Sequence, residues 1–169
     1  MILLRRASTL MMIRGDFLTY EELLIHSDFI GLTVKEKPLT EHDGLICGKR
    51  IAIRQDIPTL QQKACVLAEE LGHYHTGSGN ILDQNDSSNR KQENRGRLHA
   101  YNRMIGLIGI INAFNNGCRN LYEMADYLNV TEDFLQEALE GYRRKYGMYA
   151  CVDNYIIYFE PHLNVVKMI

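Results

Sequence analysis

Apolar residues recur at helical spacing after Pro58, and this pattern predicts an amphipathic helix over about residues 60–75. Thr59, with a glutamine three residues later, has the pattern of a capping box at the helix start, and Gly77 suits a left-handed cap at its end. One side of the predicted helix is therefore apolar and faces the core. Its apolar positions are Leu60, Ala64, Leu67, Ala68 and Leu71.

The opposite side of this helix carries two carboxylates and an imidazole. Glu69, Glu70 and His73 share that face, whereas His75 falls on the core side. Because Glu69 and His73 are four residues apart, both can reach one cation, and Glu70 lies beside them to accept a proton from water. This is the geometry of the His-Glu-x-x-His zinc helix, except that glutamate stands at the first histidine position. The alternative is a solvated glutamate pair and a histidine that favours the helix C-terminus.

The segments before this helix predict a short helix and a small sheet. Residues 19–28 have a threonine cap and an amphipathic pattern, and residues 32–36 alternate like a strand. Residues 44–54 read as a hairpin turning at Gly48, so we expect three antiparallel strands. The edge of this hairpin is a candidate for holding an extended peptide by backbone pairing, and ordinary sheet structure is the alternative.

A second helix is expected after the polar segment 78–88, from about Asn89. Glu93 lies on its first turns, where the side chain could face His73. A surface glutamate among arginines and lysines is the ordinary alternative. The apolar run 104–114 contains two glycines, which predicts a core helix in two pieces.

Residues 120–145 have the capping signals and apolar spacing of a helix-turn-helix. A recognition helix needs lysine or arginine, but the second helix here is acidic and would repel phosphates. We therefore interpret this region as a structural or protein-docking unit, followed by a hairpin at about 149–159, and predict no direct nucleic-acid partner. The acidic residues are Glu132, Asp133, Glu137 and Glu140.

Composition narrows the class of protein further. The chain has 169 residues, of which 46% are hydrophobic and 24% charged, enough for one compact domain. The mixture of predicted helices and strands makes its class α+β. The net charge of −2 gives no general attraction to nucleic acid or anionic membranes. Four scattered cysteines, with no convincing export signal and no apolar run that could span a membrane, predict reduced thiols in a cytoplasmic protein without a membrane partner.

The segment Glu70-Leu71-Gly72-His73 after a Leu-Ala entry, the following Thr-Gly pair and the Asn-Arg-Lys-Gln run ending at Glu93 resemble the ImmA/IrrE family of metallo-endopeptidases, particularly phage-encoded members. The similarity extends from about Tyr20 to the C-terminal region. It implies a zincin-like peptidase core with a small antiparallel sheet and a metal-site helix, followed by a helical unit and a short hairpin. We accordingly divide the chain into an N-terminal extension (1–17), a peptidase core (18–116) and a C-terminal unit (117–169).

The resemblance also implies a Zn²⁺ ion and assigns roles to residues. Glu70 would be the general base, and His73 and Glu93 would be ligands. Glu69 occupies the position of the family's first histidine ligand, and Gly96 stands where alanine is commoner. Since two carboxylates and one imidazole neutralise a divalent cation, we predict a weaker zinc preference and tolerance of Mn²⁺ or Fe²⁺.

Two classes of function follow. The first is a metal-dependent endopeptidase that cleaves a cytosolic repressor or transcriptional regulator of a phage or mobile element. The second is a non-catalytic protein that keeps the peptidase fold and binds such a regulator, in which Glu69 marks the loss of the metal site.

Overall fold

The computed structural model of the protein describes residues 17–77 and 87–169. The expectations for residues 1–16 and for the polar segment 78–86 lie outside the described residues. In chain order the elements are α1 (Tyr20–Phe29), β1 (Thr33–Lys37), β2 (Gly44–Cys47), β3 (Arg50–Arg54), α2 (Leu60–Thr76), α3 (Ser87–Met104), α4 (Gly106–Asn115), α5 (Leu121–Tyr127), α6 (Glu132–Tyr146), β4 (Tyr149–Val152), β5 (Tyr155–Tyr158) and β6 (Asn164–Lys167). The predicted α+β class is confirmed.

The first sheet differs from the prediction in one pairing. The hairpin of β2 and β3 is antiparallel as expected, but β1 pairs parallel to β3, in the strand order β1-β3-β2. The expectation of three antiparallel strands is therefore wrong, and the sheet is mixed. The connection 38–43 does not fold β2 back beside β1 but leads the chain past the position of β3, as the strand order requires. The third strand then lies between the other two, and β2 is left as an edge.

Helix α2 forms where its capping signals predict. The Thr59 hydroxyl accepts a hydrogen bond from the backbone N–H of Gln62 at 3.1 Å, and Gly77 ends the helix with a φ of 72°. Four of the five predicted apolar positions are buried, whereas Leu60 at the first position is 65% exposed. The apolar stripe thus begins one turn later than the periodicity alone suggests.

The second half of the chain completes the same core. Helices α3 and α4 are separate because Gly106, at a φ of 62°, interrupts the helical path. The expectation that the apolar run 104–114 forms two pieces is wrong, because residues 106–115 are the single helix α4, with Gly109 inside it. The predicted hairpin at 149–159 is present as β4 and β5, and the C-terminal residues add a third antiparallel strand, β6, that was not predicted. One continuous cluster of buried apolar side chains extends from Tyr20 to Val165. Among the described residues, no helix is long and apolar enough to cross a membrane.

Candidate metal centre

Glu69, Glu70 and His73 lie on one face of α2, and all three are partly buried. The side chain of His73 is only 15% exposed. Their face of the helix is therefore covered by neighbouring elements rather than fully solvated, unlike an ordinary glutamate-rich helix surface.

Helix α3 brings Glu93 to His73. The distance between Nδ1 of His73 and Oε2 of Glu93 is 3.6 Å, which is long for a direct hydrogen bond but short enough for the two atoms to approach a common ligand. The Glu93 side chain is 26% exposed, so it is not the freely solvated surface glutamate of the alternative interpretation.

Burial dominates the electrostatics of this face. It raises the pKa of Glu69 to about 7, with Arg97 opposing the shift and nearby carboxylates, Glu137 first, adding to it. It also raises the pKa of Glu70 to about 7, with further contributions from the charges of Glu69 and Glu93. Burial lowers the pKa of His73 although Glu93 acts in the opposite direction, so the imidazole favours its neutral, ligand-competent form.

Arg97 links this carboxylate cluster to α6. Its Nε donates a hydrogen bond to Oε1 of Glu93 at 2.9 Å, and its Nη1 donates to Oε2 of Glu137 at 3.2 Å. The hydroxyl of Tyr101 donates to the same Glu137 oxygen at 3.0 Å. The predicted acidic docking helix therefore contributes one carboxylate directly to the network around the site.

Strand β2 passes directly over Glu70. A methyl group added at Gly44 would lie 2.6 Å from Oε1 of Glu70 and 2.8 Å from Cγ1 of Val66. Glycine at this position therefore lets the edge-strand backbone approach the carboxylate more closely than any other residue would allow.

An open cavity of about 560 Å³ lies beside Glu69 and Glu70. Its walls come from the segment before β2, the start of α2 and the start of α6, and most of its charged groups are acidic. Its cation, Arg54, is already paired with Asp43 and Asp56 at 3.0 Å each. The remaining charged or titratable lining residues are Glu41, His42, Cys65, Asp133 and Glu137.

His75 does not join the candidate site, as expected, but the expectation that it lies on the core side is wrong. It is exposed and stacks on His99, with ring centroids 4.9 Å apart, while His26 lies 6.2 Å away on the other side. The last turn of α2 extends beyond the core, which explains the difference. Arg103 belongs to the same cluster, and its buried Nε, like His26 Nε2 and His99 Nδ1, has no hydrogen-bond partner among the described residues.

A sequence model of the family Peptidase_M78, described as the IrrE N-terminal-like domain, matches residues 30–140. The chain belongs to this family. No curated protein and no solved structure matches the chain significantly. Membership in Peptidase_M78 supports the predicted zincin-like fold, points to metallopeptidase activity on a protein substrate, and generally implies a divalent metal ion.

The residues of this candidate site have the right chemistry for a divalent cation, but their side chains are not arranged as a ligand set. Two partly buried carboxyl groups with raised pKa values gain from a nearby positive charge, and neutral imidazole, the form that His73 favours, is a common metal ligand. Within residues 17–77 and 87–169, however, no three histidine, cysteine or acidic side chains are arranged closely enough to form a ready ligand set. The donor types suit a divalent metal, whereas their arrangement in the described residues does not form a ligand set.

The sequence did not predict that the side chains of Arg97 and Glu137 and the backbone at Gly44 would lie at the candidate site. Arg97 is four residues after Glu93 on α3, a helical ion-pair spacing that could have identified it. Glu137 and Gly44 have no comparable signal, because each reaches the site only through tertiary packing.

Proposed function

We propose that this protein is a metal-dependent endopeptidase in which Glu69, His73 and Glu93 hold one divalent cation and Glu70 is the general base. The observation that carries the proposal is the approach of His73 to Glu93 at 3.6 Å beside a half-buried Glu70. A metal helix alone would be weak support, because a glutamate replaces its first histidine. The position of Glu93, on a second helix and close to His73, adds the support that the altered motif does not give by itself.

Glu70 is suited to moving a proton at neutral pH. With a pKa of about 7, its carboxylate can accept a proton from the attacking water and its acid form can return one to the leaving amine. A bound cation would polarise the scissile carbonyl and acidify a water molecule. The free edge of β2 would hold the peptide in extended form close to this carboxylate, because its outer backbone groups can pair with another strand.

The ligand set favours a less selective metal site than two histidines and one glutamate would. Glu69 and Glu93 together neutralise a divalent cation, so the bound water is acidified less. Carboxylate oxygens also suit harder metals than imidazole nitrogens do. We expect Zn²⁺ to bind, with Mn²⁺ or Fe²⁺ as workable substitutes.

The proposed substrate is a cytosolic repressor-type regulator of a phage or mobile element, cut at one exposed segment. Asp133 and Glu137 line the cavity, and Glu132 lies on the same end of α6. A basic DNA-binding protein would be attracted to this acidic end of the C-terminal unit, and the attraction would weaken as salt rises. Glu137 and Glu140 contribute less than the other two carboxylates, since Glu137 pairs with Arg97 at 3.2 Å and Glu140 with Arg144 at 3.7 Å.

The test is to incubate the protein and metal with a regulator encoded beside it and to determine fragment masses. A single discrete cut is expected, and Glu70→Gln should abolish it while retaining metal and fold. Equal cleavage by Glu70→Gln and wild type would remove this mechanism. Bulk degradation at many positions would contradict the proposed specificity.

The second candidate is a non-catalytic protein that binds the regulator. It is favoured by the absence of a ready three-residue ligand set in the described part of the chain and by Arg97, whose hydrogen bond already occupies one oxygen of Glu93. A stable complex with no cut under Zn²⁺, Mn²⁺ and Fe²⁺ would support this candidate over the peptidase.

A further inference from the structure

The two carboxylate oxygens of Glu93 face different groups. Oε1 accepts a hydrogen bond from Nε of Arg97 at 2.9 Å, whereas Oε2 faces Nδ1 of His73 at 3.6 Å. A carboxylate whose one oxygen is held by a guanidinium presents only the other to a metal. Arg97 therefore decides which oxygen of Glu93 is directed at the candidate centre.

Arg97 is itself fixed from its other end. Its Nη1 contacts Glu137, and the same Glu137 oxygen accepts from the hydroxyl of Tyr101, a side chain that is only 2% exposed. The Tyr101 ring packs against Gly141 of α6, where an added methyl group would lie 3.2 Å from two ring carbons. The guanidinium of Arg97 thus contacts groups on both α3 and α6, and the buried Tyr101 holds the Glu137 carboxylate, although the Arg97 and Glu137 side chains are themselves 42% and 49% exposed.

The positive charge of Arg97 also compensates for the glutamate that this chain has at position 69. Glutamate at position 69 adds a negative charge where an imidazole would be neutral, next to Glu70, Glu93 and Glu137. Arg97 is the positive group that acts on Glu69 from across the helix interface, and it stabilises the ionised form of that carboxyl. One fixed guanidinium therefore offsets part of the excess negative charge around the site.

We propose that Arg97 is a positioning residue, which holds Glu93 as a one-oxygen metal ligand and, through Glu137 and Tyr101, couples the metal centre to α6. This inference rests on the metal binding of the proposed function. A positioning role and a purely electrostatic role predict opposite changes in metal affinity when Arg97 is removed. Loss of a positive charge beside a cation site would by itself tighten cation binding, whereas loss of a positioning residue should weaken it.

The experiment measures the affinity of the full-length protein for Zn²⁺ and Mn²⁺ by competition with a chromophoric chelator. Arg97→Met removes the donors and keeps the length of the side chain, and we expect it to weaken metal binding about tenfold. Arg97→Lys keeps the charge without the planar fork and should recover only part of the affinity. Arg95→Met, an exposed position on the same helix, is the matched control and should bind metal like wild type.

A fourth variant tests the coupling to α6. Glu137→Gln keeps an acceptor for Tyr101 but weakens the ion pair with Arg97, so it should also lower metal affinity, by less than Arg97→Met does. Melting curves of each apo variant show whether a loss of affinity reflects unfolding. If Arg97→Met does not fold, the inference is decided by the Lys and Glu137→Gln variants.

The outcomes separate this inference from the proposed function. Tighter metal binding by Arg97→Met would overturn the positioning role and identify the guanidinium as a competitor of the metal. Equal affinities for wild type and Arg97→Met would also overturn it and leave the proposed peptidase intact. Absence of metal binding by the wild type would overturn both.

Discussion

Gly72 of α2 faces the backbone carbonyl of Gly96 in α3 so closely that a methyl group at Gly72 would collide with it. Both glycines are buried, and Ala100 provides the next contact along α3, with its backbone nitrogen 3.4 Å from that methyl position. The two helices therefore touch backbone to backbone one residue before His73. This contact brings the helix that carries His73 close to the helix that carries Glu93.

Gly72→Ala should destabilise the protein, although the same change in an open helix stabilises it by about 1 kcal/mol. The added methyl meets backbone, which cannot rotate away, so we expect a net loss of about 1–3 kcal/mol. For a chain of this size that corresponds to a fall in melting temperature of roughly 2–10 °C. Asn94→Ala, at an exposed position of α3, is the control. A raised melting temperature for Gly72→Ala would contradict the close contact.

Local signals in the sequence predicted the elements well. Thr59, Asn120 and Thr131 each cap the helix that follows, and Gly77, Gly106 and Gly147 interrupt or end helices at positive φ. These features depend on residues within one turn of each other, so a single sequence contains them.

Tertiary relationships were predicted less well. The parallel pairing of β1 with β3 depends on the path of the connection 38–43, and no residue pattern within the strands distinguishes it from an antiparallel pairing. The proximity of His73 and Glu93 was expected from the family resemblance, since helical spacing cannot relate two different helices. The contribution of Glu137 has no sequence signal at all, because it follows from the packing of α6 on α3.

Gly44→Ala should impair catalysis more than metal binding. The methyl group would lie within 3 Å of both Glu70 and Val66, so the Glu70 carboxylate must move or the edge strand must shift. A displaced general base should lower kcat by about 10- to 100-fold, while His73 and Glu93 are untouched. Cleavage rate and metal affinity are measured together. Lys49→Ala, in the turn of the same hairpin, is the control, and an unchanged kcat for Gly44→Ala would exclude a close role for β2.

Glu69→His should keep metal binding and sharpen its selectivity. The change restores two imidazoles and one carboxylate, which suits Zn²⁺ and leaves the centre more positive. We expect the ratio of Zn²⁺ to Mn²⁺ affinity to rise on the order of tenfold. Glu21→His, at an exposed position of α1, controls for adventitious binding by an added histidine. Loss of metal binding in Glu69→His would show that Glu69 is not a ligand.

Glu70→Gln should stabilise the apo protein at alkaline pH. The folded pKa of Glu70 is raised from 4.5 to about 7, so its contribution to stability is complete below pH 4.5 and is lost as pH rises through about 7. Glutamine carries no charge, so the variant should exceed wild type by about 1–2 kcal/mol more at pH 8.5 than at pH 5. Melting in the presence of a chelator measures this difference. A difference that does not change with pH would mean that Glu70 is well solvated.

The histidine cluster outside the metal centre should make stability fall in acid. Burial first, and Arg103 second, lower the folded pKa values of His26 and His99, and His75 adds to the shift of His26. A lowered folded pKa gives stability that is present above the unfolded value of about 6.5 and is lost as pH falls below it. Each histidine can contribute at most about 1.4 kcal/mol over one pH unit, and partial exposure reduces this.

The measurement compares the melting of wild type with that of a His26→Gln, His99→Gln double variant at pH 7.5 and 5.5. Because Glu69 and Glu70 act in the opposite direction in both proteins, their effect cancels in the comparison. The wild type should lose more stability than the variant, and equal losses would show that the two histidines are protonated as freely in the folded state as in the unfolded chain.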